Sequence, residues 1–438
     1  MGSEFVEFAA GVFYLSIIAA SSLAIVLLVQ WIGQLRNQAV DLRIVFPCRD
    51  FVSRLLRRQR NWSEVQKVLA AIILAVLGSR LWIYLLGGVW SLYFTDSHTL
   101  AFHSIWQKWD AGHYLFIAEH GYVVTPHDEA VLIAFFPLYP LLIKGFGFIL
   151  RNYSVAGYFV STVSLMVACF FLYKLVEEQV SQPAAAKAVL FLIISPFSVF
   201  LGLVFTESLF LALSIAFFYA LRKQRWLIAG AIGFFAALTK NQGILLLIPF
   251  LMEAIAALVH QLRGREGRSM LSLGLKTLTP MLLIPAGLAV YILINYRVTG
   301  DPLQFLAYQK THWHNSFGFF AENIENLLRQ ASSYPDHEFR FSLMVLQPVV
   351  FMVALFALFA ALAKKIPLSI VAFSLIFLLV SFSPTWLLSG ARYATALFYI
   401  PMLLAVVSTN TSRLLVWSSL SVSLMSFFVI VYVEGAMF

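Results

Sequence analysis

Apolar stretches recur along almost the whole chain, and that recurrence restricts the fold more than any other feature of the sequence. A helix that crosses a bilayer needs roughly 17–25 consecutive apolar residues. Runs near that length occupy 8–32, 66–94, 153–176, 184–204, 205–221, 226–238, 244–260, 277–296, 341–363, 366–382, 393–407 and 414–433. With 61% hydrophobic and 12% charged residues in 438, and a mean hydropathy of +0.85, the chain lies outside the range of soluble domains. The expected fold is therefore all-α: a polytopic transmembrane helical bundle of about twelve crossings. Cys48 and Cys169 are the only cysteines, which excludes a disulfide-built secreted scaffold. The net charge of +9 does not point to nucleic acid, because its basic residues sit in short segments beside apolar runs, where they orient a membrane protein.

Met1–Phe5 reads as the remnant of a cloning site, and 8–32 as a retained helix rather than a removable signal peptide. An Arg-rich segment follows, holding Arg36, Arg43, Arg49, Arg54, Arg57, Arg58 and Arg60. Such a segment belongs on the cytoplasmic side, so the loop 95–130, with one lysine and five acids, belongs outside. Further inside markers are Arg222, Lys223 and Arg225, then Arg263, Arg265 and Arg268, then Lys364 and Lys365. These markers agree only if 131–150, interrupted by Pro137, Pro140, Lys144, Gly145 and Gly147, does not cross. That stretch is expected to be re-entrant or interfacial, with both termini outside. The division expected is an extra N-terminal helix and Arg-rich segment over 6–65 and a transmembrane core over 66–438, with outer loops at 95–130 and 297–340.

This topology brings Asp110, Glu207, Lys240, the loop 297–340 and Arg392 to one non-cytoplasmic face. The richest stretch runs from Trp106 to Tyr122. At 100° per residue Asp110, His113, Ile117 and His120 fall in one stripe, with Glu119 nearly opposite and Gly121 as a stop. A carboxylate there can take the proton of an attacking hydroxyl, while a neighbouring histidine orients it or the substrate. Two other readings stand beside this one. Asp110 can be a helix cap with the histidines as polar rim residues, or Asp110, His113 and His120 can hold a metal, although no metal-specific spacing recurs.

The residues Trp109, Asp110, Ala111, His113, Leu115–Tyr122 and Ala134–Pro137 resemble the PIG-V-like family of membrane glycosyltransferases, that of GPI mannosyltransferase 2. Ser195-Pro196, Thr206–Phe210 and Lys240–Gly243 are similar to the same family in the same order. The resemblance runs from about Leu69 to Leu258, and weakly beyond. It implies a GT-C architecture, a polyprenyl- or dolichyl-phosphate sugar as donor, a glycolipid or glycan acceptor, an inverting displacement, and a catalytic carboxylate where Asp110 stands. Two features depart from the family. The N-terminal helix and Arg-rich segment have no recognised counterpart, and the arginine usual near Asn241 is Lys240 here.

Within that framework Asp110 is the expected base. Arg392 and Lys240 are the expected cations for the leaving phosphate, against the alternative that they are snorkelling anchors. Glu207, between two apolar runs, needs water or a partner, and either a sugar hydroxyl or a pair with Lys240 or Arg392 would serve; its alternative is a helix-capping acid. In the outer loop Lys310, His312 and Trp313 suit sugar stacking and phosphate contact, and equally suit a headgroup belt. No cofactor is expected, and no divalent ion enters the expected set. The other partners expected are membrane lipids, not nucleic acid. Short loops and the lack of a retention signal favour a bacterial or archaeal plasma membrane, with the endoplasmic reticulum as the eukaryotic equivalent. A transporter or flippase of lipid-linked sugars is the rival class, disfavoured because the polar candidates gather at one surface instead of the midplane.

Overall fold

The computed structural model describes residues 63–95, 101–123, 131–263, 270–333, 340–385, 387 and 389–437. The expected first helix and the Arg-rich segment through Arg60 lie outside the described residues. Among those described, the architecture is helical throughout, with one isolated antiparallel bridge between Phe317 and Pro384.

The helices that frame the site are α1 (Glu64–Phe94), α2 (Asp110–His120), α3 (Leu138–Leu150), α4 (Tyr153–Gln179), α5 (Gln182–Ile193), α6 (Glu207–Arg222) and α7 (Trp226–Ala237). Beyond them come α8 (Leu247–Arg263), α9 (Leu283–Thr299), α10 (Leu346–Ala363), α11 (Leu368–Ser381), α12 (Tyr399–Val407) and α13 (Thr411–Val433). Their starts follow local chemistry. Ser63 and Gln66 form a capping box at α1, with Gln66 N donating to Ser63 Oγ at 3.3 Å and Ser63 N to Gln66 Oε1 at 2.8 Å. The side chains of Asn152, Ser181 and Asn410 accept the backbone N–H of Val155, Ala184 and Arg413 in the first turns of α4, α5 and α13.

Most of these helices are apolar all round, so their faces are assigned by what covers them. On α1, Leu69, Ile73, Leu77, Leu81 and Leu85 form an exposed row at four-residue spacing, while Ile72, Val76, Arg80, Ile83 and Trp90 are buried. An exposed leucine row costs nothing in lipid, and it identifies α1 as peripheral. By contrast α5 and α6 are buried on nearly every side and form the centre. Close approach between helices relies on small residues. A Cβ added at Gly287 of α9 would come within 2.3 Å of the Phe234 carbonyl oxygen of α7.

Among the described residues six helical stretches are long and apolar enough to cross a membrane: 64–94, 153–179, 241–260, 274–299, 346–363 and 411–433. A seventh arises if Gly390–Ala396 and Tyr399–Val407, bent by 67° where they join, are one span. Four expected crossings form shorter helices instead. The run 184–204 yields a helix of only 12 residues, because Ser195-Pro196 breaks it and a 3-10 turn, Ser198–Leu201, follows. The runs 205–221, 226–238 and 366–382 give helices of 16, 12 and 14 residues. At 1.5 Å per residue these reach about 18–24 Å, short of a hydrocarbon core of about 30 Å. The irregular backbone after α5, 194–206, lies largely buried in protein, where its polar groups find partners away from lipid, as Ser198 N–H does on the Ser195 carbonyl at 2.9 Å. The stretch 131–150 forms a 3-10 turn, Val131–Ala134, and the 13-residue α3.

Candidate active site

Four charged residues from four separate segments meet at one end of the bundle. Asp110 is the first residue of α2, and the chain enters it through Trp109, whose φ of 57° and ψ of −126° lie outside the regions a bulky residue favours. Glu207 begins α6, directly after the buried stretch Leu203–Thr206. Lys240 has extended backbone between the end of α7 and the 3-10 helix Asn241–Leu246. That turn is tight: a Cβ at Gly243 would sit 2.4 Å from the Ala236 carbonyl carbon, so only glycine fits unless the backbone moves. Arg392 lies in the short helix Gly390–Tyr393, which the Gln347 side chain of α10 fixes by accepting the Ala391 N–H at 2.9 Å.

Arg392 Nη1 lies 2.7 Å from Asp110 Oδ2, and its Nε lies 3.2 Å from Glu207 Oε1. The same Oε1 accepts a hydrogen bond from Lys240 Nζ at 2.6 Å. Two anions and two cations thus balance in a site that is largely dry. Glu207 and Arg392 are 2% and 7% exposed. The Lys240 and Asp110 side chains are 12% and 26% exposed, so Asp110 stands at the open edge. A buried charge is tolerable only when paired, and here each has a partner. Rings complete the lining. Lys240 Nζ lies 4.9 Å from the Tyr393 ring centre, and the Arg392 guanidinium 5.2 Å from that of Phe205 and 5.6 Å from that of Tyr393. Glu207 Oε2 is buried without a hydrogen-bond partner.

The expected pairing of Glu207 with Lys240 or Arg392 occurs with both. The expected stripe of Asp110, His113, Ile117 and His120 does not form one environment. The covered face of α2 carries Ala111, Tyr114, Ile117 and Ala118, because Tyr114 packs edge-on against Phe135 and Tyr139, each at 5.2 Å. That rotation leaves both histidines exposed on the flank. His113 rests its ring 4.8 Å from Phe135, and His120 stacks on Phe116 at 4.4 Å, with Nδ1 3.3 Å from the Phe116 carbonyl oxygen. Neither shares the ion pair of Asp110. No three His, Cys, Asp or Glu side chains come close enough to hold an ion together among the described residues.

In the outer loop Lys310 and His312 are exposed, with His312 Nδ1 2.9 Å from Thr311 Oγ1. Trp313 is half-buried, edge-on to Phe135 at 6.2 Å. Phe135 therefore links Trp313 to His113, although the two are far apart in sequence. Sequence reasoning missed Phe205, Tyr393 and Gln347. Tyr393 had a signal, being next to Arg392; Phe205 and Gln347 are apolar-run residues that only packing singles out.

Residues 134–288 match the family model described as dolichyl-phosphate-mannose-protein mannosyltransferase, a stretch that holds Glu207 and Lys240. The chain is 27% identical over 241 residues to GPI mannosyltransferase 2 of Schizosaccharomyces pombe, covering 51% of this chain and 50% of that protein. It is 34% identical over 102 residues to GPI mannosyltransferase 2 of Yarrowia lipolytica, covering 23% of this chain and 29% of that protein. The chain thus spans half or less of the length of these curated relatives. No solved structure matches it. Over these stretches, with its membrane helices, the chain is similar to mannosyltransferases of the PIG-V-like, GPI mannosyltransferase 2 kind.

Proposed function

We propose that this membrane protein is a mannosyltransferase that moves mannose from a polyprenyl- or dolichyl-phosphate mannose to a lipid-borne or glycan acceptor, on the non-cytoplasmic face of a core with about twelve crossings in all. One observation carries the reading: a partly exposed carboxylate, Asp110, sits 2.7 Å from a buried guanidinium, Arg392, beside a second, largely buried cation, Lys240. A phosphate-sugar donor needs that combination. Cations neutralise the charge that develops on the departing phosphate, and a carboxylate takes the acceptor's proton.

In this mechanism the acceptor hydroxyl attacks the anomeric carbon from the face opposite the phosphate. The new C–O bond forms as the bond to the phosphate oxygen breaks, its electron pair leaves with the phosphate, and the hydroxyl proton passes to Asp110. Inversion follows from the single displacement. Arg392 offers several donors to phosphate oxygens and Lys240 a point charge. Because Arg392 is bound to Asp110 before donor arrives, donor phosphate competes for the guanidinium and frees the carboxylate for the acceptor. Glu207 keeps both cations in register from below. His113 and Trp313, joined through Phe135, give the acceptor side an aromatic wall, and His120, Lys310 and His312 lie farther out for the headgroup.

The test is transfer of radiolabelled mannose from polyprenyl-phosphate mannose to a total lipid extract by purified wild type and by a folded Asp110→Asn protein. Wild type is expected to transfer, and the variant to lose about 10²–10⁴-fold in turnover. Normal turnover by Asp110→Asn removes the assigned base. Passage of the lipid-linked sugar across proteoliposomes without transfer replaces the enzyme with a flippase.

A further inference from the structure

Outside the ion-pair cluster, three of the four residues before Asp110 are fastened to other helices of the bundle: Trp106 to α1 and α13, Gln107 to α4 and Lys108 to α13. The Trp106 indole is buried beneath Gly87 of α1 and stacks on Tyr432 of α13, rings 6.0 Å apart and 12° from parallel; the Tyr432 hydroxyl donates to the Trp106 carbonyl at 3.2 Å. Gln107 Nε2 donates to Ser154 Oγ at the start of α4. Lys108 Nζ donates to the Val433 carbonyl and lies 3.5 Å from that of Tyr432, the last residues of α13. Trp109 then takes the left-handed φ of 57° that turns the chain into α2.

A helix ends with carbonyls that have no partner of their own, at the negative end of its dipole, and an ammonium group satisfies both needs. Lys108 meets this description at α13. It is half-buried, and burial pushes its ammonium below the ordinary lysine range while the nearby Glu434 carboxylate opposes the shift. Glu434 is itself anchored, accepting from Trp90 Nε1 of α1. A bulky residue at positive φ persists only where its surroundings enforce it, and such residues collect at functional sites. The residue so enforced is the immediate neighbour of Asp110.

We propose that Lys108 is a positioning residue, whose clamp on the carbonyl end of α13 holds Trp109 in its unfavoured backbone and so aims Asp110 at Arg392. The catalytic consequence rests on the mannosyltransferase reading; the structural clamp does not. Lys108 touches none of Glu207, Lys240 or Arg392, so it affects the carboxylate and leaves the phosphate cations alone.

The experiment compares full-length, detergent-purified wild type, Lys108→Met, Lys108→Gln and Lys108→Arg by two readouts. Amide hydrogen exchange over Tyr114–His120 is expected to quicken in Lys108→Met, to do so partially in Lys108→Gln, which keeps a neutral donor, and to return to wild type in Lys108→Arg. Mannose transfer by Lys108→Met is expected to fall at least about tenfold in kcat with the donor KM unchanged, and Lys108→Arg to restore it. Unchanged exchange in α2 overturns the clamp. Faster exchange spread over the whole bundle, with kcat per folded molecule unchanged, also overturns it and makes Lys108 a stability residue only. If wild type transfers no mannose, the functional reading fails while the exchange arm still decides the clamp. Should Lys108→Met not fold, Lys108→Gln carries both readouts.

Discussion

The two ends of α6 carry the same chemistry in opposite surroundings. At its start Glu207 shares one oxygen between Lys240 and Arg392, with almost no exposure. At its far end, about 24 Å away along 16 residues, Lys223 pairs with Glu178 of α4 at 2.7 Å, and Lys174 with Glu177 at 2.8 Å. Those side chains are 23–41% exposed. The distances at the two ends hardly differ, but the consequences do. An exposed pair trades water for a partner at little net gain, whereas a buried one leaves an uncompensated charge in a poor solvent if either member goes. A membrane protein keeps such a cluster at a cost in stability, and on the function proposed above that cost is offset by chemistry.

Five variants test that contrast. Glu207→Ala removes the anion between two buried cations and should cost about 3–5 kcal/mol, read as a lower apparent Tm in detergent. A double variant, Glu207→Gln with Lys240→Met, removes one charge of each sign and should be more stable than Glu207→Ala; a sum of the two single effects would mean that the pair is not coupled. Arg392→Lys keeps the charge but loses the fork that reaches Asp110 and Glu207 together, so donor turnover should fall about tenfold or more while folding persists. The exposed His113 lies off the ion pair, and His113→Ala should change stability by no more than about 0.5 kcal/mol. At the opposite end, Lys223→Ala should leave apparent Tm and transfer where they were, and a clear loss there would erase the distinction between the ends.

Much of the bundle was legible because lipid imposes a length requirement that composition reveals directly. Residues 64–94, 153–179 and 411–433 form long helices where the apolar runs lie. The runs at 184–204 and 226–238 were harder, since apolarity marks depth in a membrane but does not say whether backbone at that depth is helical. Ser195-Pro196 breaks the first run and the Lys240 turn follows directly on the second, and both sit against other parts of the protein. Asp110, Glu207, Lys240 and Arg392 were visible as ionisable residues at helix ends, and a pair of Glu207 with Lys240 or Arg392 was expected; that Arg392 also reaches Asp110 was not.

By itself the sequence determined that this chain lives in a membrane and which ionisable residues have no ordinary reason to lie beside apolar runs. It also carried motifs in the order that resembles the GPI mannosyltransferase 2 relatives. Tertiary structure alone decided that Glu207 takes both cations on one oxygen, that Asp110 faces Arg392 while His113 and His120 face outward, and that Lys108 ties the entry of α2 to the end of α13. The reason is physical. Transfer from water to lipid depends on composition along the chain, whereas ion pairs and caps depend on distances between segments up to some 300 residues apart, which are fixed only when helices pack.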